Sequence, residues 1–191
     1  MKIHRFVREQ RSKSAAVIGG GFIGVEMAEN LSQLGMKVTV IEYSDHLMAP
    51  LDFDMACAVH AQMRRRGIEL NLSTSVTGFE TKGGSVVIHT ASGAEMVADM
   101  VLLAVGVTPD TDLAKRAGLA LGLRNSIVVN DRMETSVPDI YAVGDAVEVK
   151  HFVTGKKALI ALAGPANKQG RIAADNICGG NSVFDGAQGS S

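Results

Sequence analysis

The sequence has few cysteines, no excess of charge of either sign and no long hydrophobic run. Its two cysteines, Cys57 and Cys178, lie far apart and match neither a redox pair nor a metal-binding pattern. The 19 basic and 20 acidic residues are interspersed, which argues against a nucleic-acid or membrane-surface partner. No apolar stretch approaches the roughly 18 residues that would span a bilayer, and the N-terminus lacks a signal-peptide hydrophobic region. With so few cysteines, these features predict a cytoplasmic protein.

The composition is typical of a folded α/β protein. The 191 residues are 46% hydrophobic and include 21 glycines, enough for one domain with a substantial core, alone or with an appendage. The five histidines show no metal-ligand spacing, so we predict no metal site. We expect Cys57 and Cys178 to be buried, inert thiols rather than redox groups. We expect His60 and His89 to be ordinary surface or edge residues.

The first 72 residues alternate apolar runs with helical patterns. Short runs rich in β-branched residues predict strands at 15–18, 37–42 and 68–72. Apolar residues at helical spacing predict helices at 22–34 and 51–66. This β-α-β-α-β order predicts a parallel sheet with right-handed crossovers.

The pattern then changes to short extended pieces. Segments 75–79, 85–90 and 95–97, separated by glycine-containing turns, predict an antiparallel meander inserted in a crossover. A buried strand is expected at 99–105, where the parallel sheet resumes.

The last part of the chain has less regular structure. A short helix at 111–117 and a strand at 127–129 complete the domain. From residue 131 onward we expect one strand at 140–143 and one helix at about 165–177. One strand and one helix cannot form a core, so this tail should pack against something else.

A glycine-rich turn joins the first predicted strand to the first helix. The pattern Gly19-x-Gly21-x-x-Gly24 is followed by an acid, Glu42, at the end of the second strand. Gly19 permits the tight turn, Gly21 leaves room for a pyrophosphate, and Gly24 lets the helix pack closely on the strand. The helix N-terminus then receives the pyrophosphate. The motif predicts a dinucleotide site in a Rossmann-like fold; the alternative is a glycine-rich turn without a ligand.

Glu42 indicates which dinucleotide binds. A carboxylate at this strand end accepts both ribose hydroxyls of an adenosine, whereas it repels the 2′-phosphate of NADPH unless basic residues lie close by. Residues 43–46 contain no lysine or arginine. We therefore predict NADH rather than NADPH as the ligand. The alternative for Glu42 is a solvated acid at a strand end.

Two longer motifs resemble one enzyme family. Segment 19–29, GGGFIGVEMAE, is similar to the NAD-domain motif of the pyridine nucleotide-disulfide oxidoreductases. Segments 141–146, YAVGDA, and 162–171, LAGPANKQGR, resemble the part of that family's chain that returns to the FAD domain. The resemblance spans about residues 15–180 and is greatest to the coenzyme A-disulfide reductase and NADH oxidase branch. The FAD-binding glycine turn and redox cysteine that precede the first motif in a complete enzyme are not in this sequence.

The resemblance implies a domain organisation. We expect a lead-in linker or helix over 1–14, an NAD(H)-binding domain over 15–130, a partial FAD-binding segment over 131–180 and a flexible tail over 181–191. The fold is then α/β, with a Rossmann-like parallel sheet that has helices on both faces and an inserted antiparallel β-meander. A C-terminal strand-helix tail from an incomplete FAD domain follows.

The resemblance also implies roles at the nicotinamide end of the site. Phe22 falls where the family has an aromatic residue that gates the nicotinamide pocket, and Ile23 follows it in the same motif. Glu26 falls where a carboxylate lies near the nicotinamide and the flavin, often paired with a lysine of the FAD domain. Gly106 matches a loop that passes under the nicotinamide. These matches imply that Phe22 and Glu26 are catalytic and that Ile23 and Gly106 contact NADH.

Four residues match the family's flavin contacts. Asp145, preceded by Gly144, matches the acid that binds the flavin ribityl chain. Leu162 and Ala163 match backbone contacts to the isoalloxazine ring. The helix after Pro165 then directs its N-terminus at the flavin, and a proline at the first helical position suits that geometry. The helix dipole favours an anionic reduced flavin.

The function implied is that of part of a flavoenzyme. In the whole enzyme, NADH passes a hydride to FAD and the electrons continue to a disulfide-type acceptor. Coenzyme A disulfide is the favoured acceptor, while oxygen, peroxide and polysulfide stay open. This chain alone is expected to be inactive. The alternatives are a stand-alone nucleotide-binding or regulatory module and one half of a split flavoprotein such as an NADH oxidase.

The expected partners are NADH, FAD and the rest of the same enzyme. The rest comprises the missing FAD half and a C-terminal dimerisation domain. Self-association, a swapped tail or a loosely held tail is also expected, because apolar residues of 131–180 should be exposed. Examples are Ile140, Tyr141, Leu159, Ile160 and Leu162.

Overall fold

The chain folds into two units that meet in sequence between Gly106 and Val107. The computed structural model describes residues 2–10 and 12–189. Each unit has its own hydrophobic core. None of the helices in the described residues is long and apolar enough to cross a membrane. The domain spans predicted above were drawn by which cofactor each segment is expected to bind, so they differ from this division. They stay predictions.

The first unit contains the parallel sheet and the meander that the sequence predicts. Its elements are α1 (Lys2–Gln10), β1 (Ser14–Ile18), α2 (Phe22–Gln33), β2 (Lys37–Ile41), α3 (Phe53–Arg65), β3 (Glu69–Asn71), β4 (Val76–Lys82), β5 (Ser85–Thr90), β6 (Glu95–Ala98) and β7 (Met100–Leu103). The parallel sheet has the order β3-β2-β1-β7, in which Val17 lies opposite both Val40 and Leu102. Strands β4, β5 and β6 form the antiparallel sheet. The predicted α/β class is confirmed.

Both faces of β1 are buried, which explains its continuous apolar run. Ala15 and Val17 pack in a core with residues of α2 and α3. Ala16 and Ile18 point the other way and pack against Ile88 of β5 and Ala98 of β6. In this unit the helices cover one face, and the second face, where helices were also expected, is covered by the meander. The apolar side of β5 supplies the surface that a helix would otherwise provide.

The second unit contains α4 (Asp112–Arg116), β8 (Ile127–Val128), β9 (Val147–Lys150), β10 (Lys157–Ala158) and α5 (Ala163–Ile177). Strand β9 lies in the middle of a small sheet, parallel to β8 and antiparallel to β10. The strand predicted at 140–143 is wrong, since Tyr141 makes only an isolated bridge to Glu134. Strand β9 was missed because Glu148 and Lys150 interrupt its apolar pattern.

The expectation that the tail cannot form a core is also wrong. Strand β9 contributes Val147 and Val149 to a core of its own unit, which α5 joins through Ala173. Tyr141 and Ile160, expected to be exposed, pack against this core. Leu159 and Leu162 are half-buried, and Ile140 is exposed as expected. The most exposed apolar pair of this region is instead Phe152 and Val153, at 64% and 70%.

Four expectations about residues on or at the ends of helices need correction. Helix α3 buries Ala56, His60 and Met63, which share one face. Cys57 therefore points away from the core and is exposed, as is Cys178, and His60 is a core residue rather than a surface one. Helix α5 begins at Ala163, so Pro165 is its third residue and not its first.

Candidate functional site

A groove of about 630 Å³ opens in the first unit at the carboxyl ends of the parallel strands. Its walls come from the turn after β1, the residues after β2 and the residues after β7. Strand β1 lies between β2 and β7, so the order of the sheet reverses beside it. Ligands of open α/β sheets bind in the crevice at such a reversal.

The glycine turn has no room for side chains where it crosses the sheet. Gly19 has a φ of +103°, and a Cβ there would collide with the carbonyl oxygen of Ala104. A Cβ on Gly24 would collide with the carbonyl oxygen of Gly19, which brings α2 close to the turn. At Gly21, by contrast, no atom lies within 4 Å of the Cβ position. The turn is closed on the protein side and open towards the groove.

Helix α2 begins at this open position. Its N-cap is Gly21, no side chain caps it, and Phe22 and Ile23 are 44% and 53% exposed. The first N–H groups of a helix have no intrahelical acceptor, and together with the helix dipole they favour an anion. This helix end fits a pyrophosphate.

Glu42 follows β2 and faces the same turn. Its Oε2 accepts the N–H of Gly20 at 2.5 Å, and its Oε1 accepts the N–H of Ser44 at 2.8 Å. An ionised carboxylate has about four acceptor sites, so two remain for ribose hydroxyls. The described residues that line the groove include no lysine or arginine. The two remaining acceptor sites of Glu42 fit the adenosine ribose of a dinucleotide without a 2′-phosphate.

A second set of residues, which the sequence did not reveal, packs against the glycine turn at Gly20. The N–H of Met48 donates to the carbonyl oxygen of Gly20 at 2.8 Å, and the Leu47 side chain is fully buried beside Gly20. The N–H of Leu47 donates to Nε2 of His60 at 3.0 Å. Burial, followed by the nearby charges of Arg64 and His46, lowers the pKa of His60. The helical spacing of His60 from Ala56 and Met63 was the available signal.

His46 lies on the other side of Phe53 from His60. Its Nδ1 contacts the Asp45 carboxylate at 2.6 Å and its Nε2 the Leu51 carbonyl oxygen at 3.1 Å. The hydrogen bond to Asp45 is the main cause that raises the pKa of His46. The Phe53 ring meets both imidazoles edge-on, at 6.0 Å and 6.3 Å between centroids. The pKa values of the two histidines are therefore shifted in opposite directions.

The residues predicted for the nicotinamide end lie on α2 and after β7. Phe22 and Glu26 are one helical turn apart and both exposed. Within the described residues, no hydrogen bond or ion pair engages the Glu26 carboxylate. Gly106, with a φ of +106°, lines the groove together with Gly19 and Gly21. Their roles in catalysis and binding stay predictions.

The residues predicted for flavin contact lie in the second unit. The N–H of Gly144, which has a φ of +83°, donates to Oε1 of the buried Gln169 on α5 at 2.7 Å. Asp145 follows in the same turn and is exposed. Leu162 is the N-cap of α5 and Ala163 its first residue, with no side-chain cap. Gln169, which the sequence did not single out, fixes the turn to this helix. The flavin roles themselves stay predictions.

The part of the chain that the structure describes contains no cluster of potential metal ligands. Over residues 2–10 and 12–189, no group of three or more His, Cys, Asp or Glu side chains is placed to hold a metal ion.

The fold and its groove define the class as a Rossmann-like α/β protein. The family model described as pyridine nucleotide-disulphide oxidoreductase matches residues 2–170. The chain belongs to this family, as the two motifs predicted. Members of the family use NAD(H) and FAD.

Similar proteins agree with this assignment. The NADH oxidase of Methanocaldococcus jannaschii is 39% identical over 183 residues, which cover 95% of this chain and 40% of the relative. The CoA-dependent NAD(P)H sulfur oxidoreductase of Pyrococcus abyssi is 34% identical over 188 residues, 98% of this chain and 42% of the relative. The crystal structure of reduced CoADR-RHD from Bacillus anthracis matches with a TM-score of 0.95 and 46% identity. The match extends over 100% of this chain and over 34% of the chain in that structure. The chain thus spans about two fifths of the curated relatives.

Proposed function

We propose that this chain is the NAD(H)-binding portion of an FAD-dependent NADH oxidoreductase. In the complete enzyme, hydride passes from NADH to FAD and electrons continue to a disulfide-type acceptor. The observation that carries the proposal is a groove lined both by Gly21, at the open N-terminus of α2, and by Glu42, whose carboxylate accepts the N–H of Gly20. An acid for ribose and a helix end for pyrophosphate are the two requirements of a dinucleotide site.

The residues of the first unit have distinct tasks in this proposal. Gly21 and the first N–H groups of α2 bind the pyrophosphate, and Glu42 accepts the adenosine ribose hydroxyls. Gly106 lets the nicotinamide approach the backbone, Phe22 covers the nicotinamide pocket, and Glu26 supplies a carboxylate at its edge. NADH is preferred over NADPH because Glu42 repels a 2′-phosphate and no basic residue among those described in the groove compensates.

The residues of the second unit hold the flavin when the rest of the enzyme is present. Asp145 accepts a ribityl hydroxyl, while the backbone of Leu162 and Ala163 and the uncapped N-terminus of α5 face the isoalloxazine ring. FAD supplies the hydride-accepting chemistry, and the protein positions it. This chain alone carries only part of the flavin contacts, so we expect it to be inactive by itself.

The favoured electron acceptor is coenzyme A disulfide. Its support is the similarity to a relative named as a CoA-dependent sulfur oxidoreductase. A specific observation favours an alternative as well, since another relative is named NADH oxidase. The resemblance of segments 141–146 and 162–171 to the flavin-contacting part of the family argues against a stand-alone nucleotide-binding module, because such a module has no need of them.

The proposed partners are the remaining FAD half and the dimerisation domain of the same enzyme. A split enzyme would supply the FAD half as a second polypeptide. Exposed Phe152 and Val153 support self-association of the isolated chain, since adjacent apolar side chains favour contact between copies. Sedimentation that shows a monomer at every concentration would contradict this. The small number of cysteines supports a cytoplasmic location.

Calorimetric titration of this chain with NADH, NADPH and FAD tests the proposal. We expect NADH to bind, NADPH to bind about tenfold or more weakly, and FAD binding to be negligible. The variant Glu42→Ala should weaken NADH binding. The matched control is Glu69→Ala, which removes a carboxylate from neighbouring β3 that does not line the groove.

The outcomes separate the candidates. Equal NADH affinity in the Glu42→Ala and Glu69→Ala variants would contradict the ribose role of Glu42. Stoichiometric FAD binding would show that the chain forms a flavin site without the missing half. NADH oxidation by this chain alone would refute the claim that it is inactive.

A further inference from the structure

Gly20 lies in the glycine turn between β1 and α2, and three contacts with other parts of the protein fix its position. Its N–H donates to Glu42, and its carbonyl oxygen accepts the N–H of Met48. The buried Leu47 side chain fills the space where a Cβ of Gly20 would lie. The position of the turn therefore depends on the segment that contains Leu47 and Met48.

That segment has a strained backbone. Met48 has a φ of 58°, in the left-handed region that a methionine rarely adopts. Such a conformation is disfavoured on its own and persists where surrounding contacts require it. Two contacts meet this requirement: the bond from Met48 to Gly20 and the bond from the neighbouring Leu47 N–H to His60.

The bond to His60 is the one that ties the segment to the helix layer. His60 is 4% exposed, and its Nε2 must be unprotonated to accept the Leu47 N–H. We propose that His60 is a positioning residue for the dinucleotide site: its neutral imidazole holds Leu47 and Met48 under Gly20 and so keeps Gly20 on the Glu42 carboxylate. This inference rests on the proposed NAD(H) site, because it concerns the turn that would bind the pyrophosphate.

The charged surroundings of His60 favour its neutral form. Arg64 lies one turn further along α3, and His46 lies beyond the Phe53 ring on the facing segment. Burial is the main cause that lowers the pKa of His60; Arg64, and His46 when protonated, add to it, while Asp45 partly offsets them. Protonation of His60 would convert its acceptor nitrogen to a donor that faces the Leu47 N–H. The hydrogen bond between Leu47 and His60, which fixes the glycine turn, would then be lost.

The test is calorimetric binding of NAD⁺ to this chain between pH 5 and pH 8, roughly the range in which histidine titrates. In the unaltered chain the affinity should be constant above pH 6.5 and fall about tenfold as His60 is protonated below it. His60→Gln places an uncharged oxygen near the position of Nε2, so affinity should be close to normal at pH 7.5 and should lose the fall at low pH. His60→Leu should bind about tenfold more weakly throughout.

Two control variants separate His60 from other titrating groups. His89→Gln removes a half-exposed histidine of the meander that contacts Glu80 and Glu95, and the low-pH fall should persist. His46→Gln removes the other histidine near Phe53, and the fall should also persist, since the pKa of His46 is shifted in the opposite direction. Loss of the fall in the His46 variant, with its retention in His60→Gln, would overturn the proposal.

A second readout does not need the ligand. Amide NMR signals of Leu47 and Gly20 should shift together as the pH falls in the unaltered chain and should stay fixed in His60→Gln. If the chain fails to bind NAD⁺ but these signals titrate together, the proposed function fails and the positioning contact stands. If His60→Leu lowers the Tm while leaving affinity and the Gly20 signal unchanged, His60 is only structural and the inference fails.

Discussion

The Glu42 carboxylate accepts the N–H of Gly20 at 2.5 Å and thereby joins the end of β2 to the turn after β1. The acid expected to bind ribose and the turn expected to bind phosphate are therefore one hydrogen-bonded unit. A change at either residue should affect both ends of the adenosine diphosphate site. Loss of NADH affinity in a Glu42 variant will include this indirect effect along with the direct one.

We predict that Gly20→Ala and Gly21→Ala will have different consequences. A methyl group at Gly20 would collide with buried Leu47 and approach the Glu42 carboxylate. Overpacking of this kind costs about 1–3 kcal/mol, so the Tm should fall together with NADH affinity. A methyl group at Gly21 meets no protein atom beyond its chain neighbours, so the Tm should change little. Affinity should fall about tenfold if the proposed pyrophosphate position is right, because that position needs the same space.

Thermal unfolding and NADH titration of the two variants decide this prediction. Normal affinity in Gly21→Ala would mean that no ligand approaches the turn there. An unchanged Tm in Gly20→Ala would mean that Leu47 moves aside freely.

The contrast between the predicted and the unpredicted residues has a physical basis. Gly19, Gly21, Gly24 and Glu42 could be singled out as candidates because the motif they form depends on spacing along one β-α-β unit. The bond between Leu47 and His60 joins residues thirteen positions apart across a loop and a helix, and only the packing of α3 places them together. From the sequence we expected Cys57 to be buried and His60 to lie at the surface, whereas the structure has the reverse. Sequence periodicity also could not indicate that a histidine of α3 accepts a backbone N–H.

The second unit was harder to predict because its core is built from short pieces. Strand β9 alternates valine with charged residues, as a half-buried edge strand would, yet Glu148 is buried. Its charge is accommodated by partners distant in sequence, the N–H of Leu123 and the Lys157 ammonium. No pattern within the strand itself reveals these partners.

We predict that the variant Glu42→Ala with Tyr43→Arg will reverse the nucleotide preference. Tyr43 is 78% exposed at the groove, so an arginine there can reach a 2′-phosphate without repacking. Removal of the Glu42 carboxylate ends the repulsion, and a guanidinium pairs with phosphate through two hydrogen bonds. Calorimetry should show NADPH bound more tightly than NADH.

The single variants are the controls for this change. Glu42→Ala alone should weaken NADH binding without producing tight NADPH binding. Continued NADH preference in the double variant would show that the adenosine ribose lies elsewhere in the groove.

We predict that Asp99 makes stability depend on acid pH. The N–H groups of Lys13 and Ser14 donate to its carboxylate at 2.8 and 3.0 Å, and these bonds lower the pKa of Asp99 below its usual 3.8. A lowered pKa in the folded state means that the carboxylate stabilises the fold above pH 3.8 and that this contribution is lost as pH falls through the folded value. Asp99→Asn should therefore lower the Tm at pH 7, by an amount that shrinks towards pH 3.

Thermal unfolding of both proteins across this pH range provides the measurement. The exposed Asp110, replaced by asparagine, is the control and should change the Tm little at any pH. A Tm difference for Asp99→Asn that is constant from pH 7 to pH 3 would show that the carboxylate charge is not its cause.

We predict that Glu148 is a main determinant of stability in the second unit. Its side chain is 8% exposed; Oε2 accepts the N–H of Leu123 at 2.9 Å and Oε1 lies 3.5 Å from Nζ of Lys157. Glu148→Ala leaves that part-buried N–H without its acceptor and opens a void beside Gly122, for a cost of about 2–3 kcal/mol. Lys157 is 54% exposed, so Lys157→Met removes a solvated partner and should cost about 1 kcal/mol or less. The Tm of Glu148→Ala should therefore be well below the Tm of Lys157→Met. Equal losses would mean that the ion pair, and not the bond to Leu123, accounts for the burial of this carboxylate.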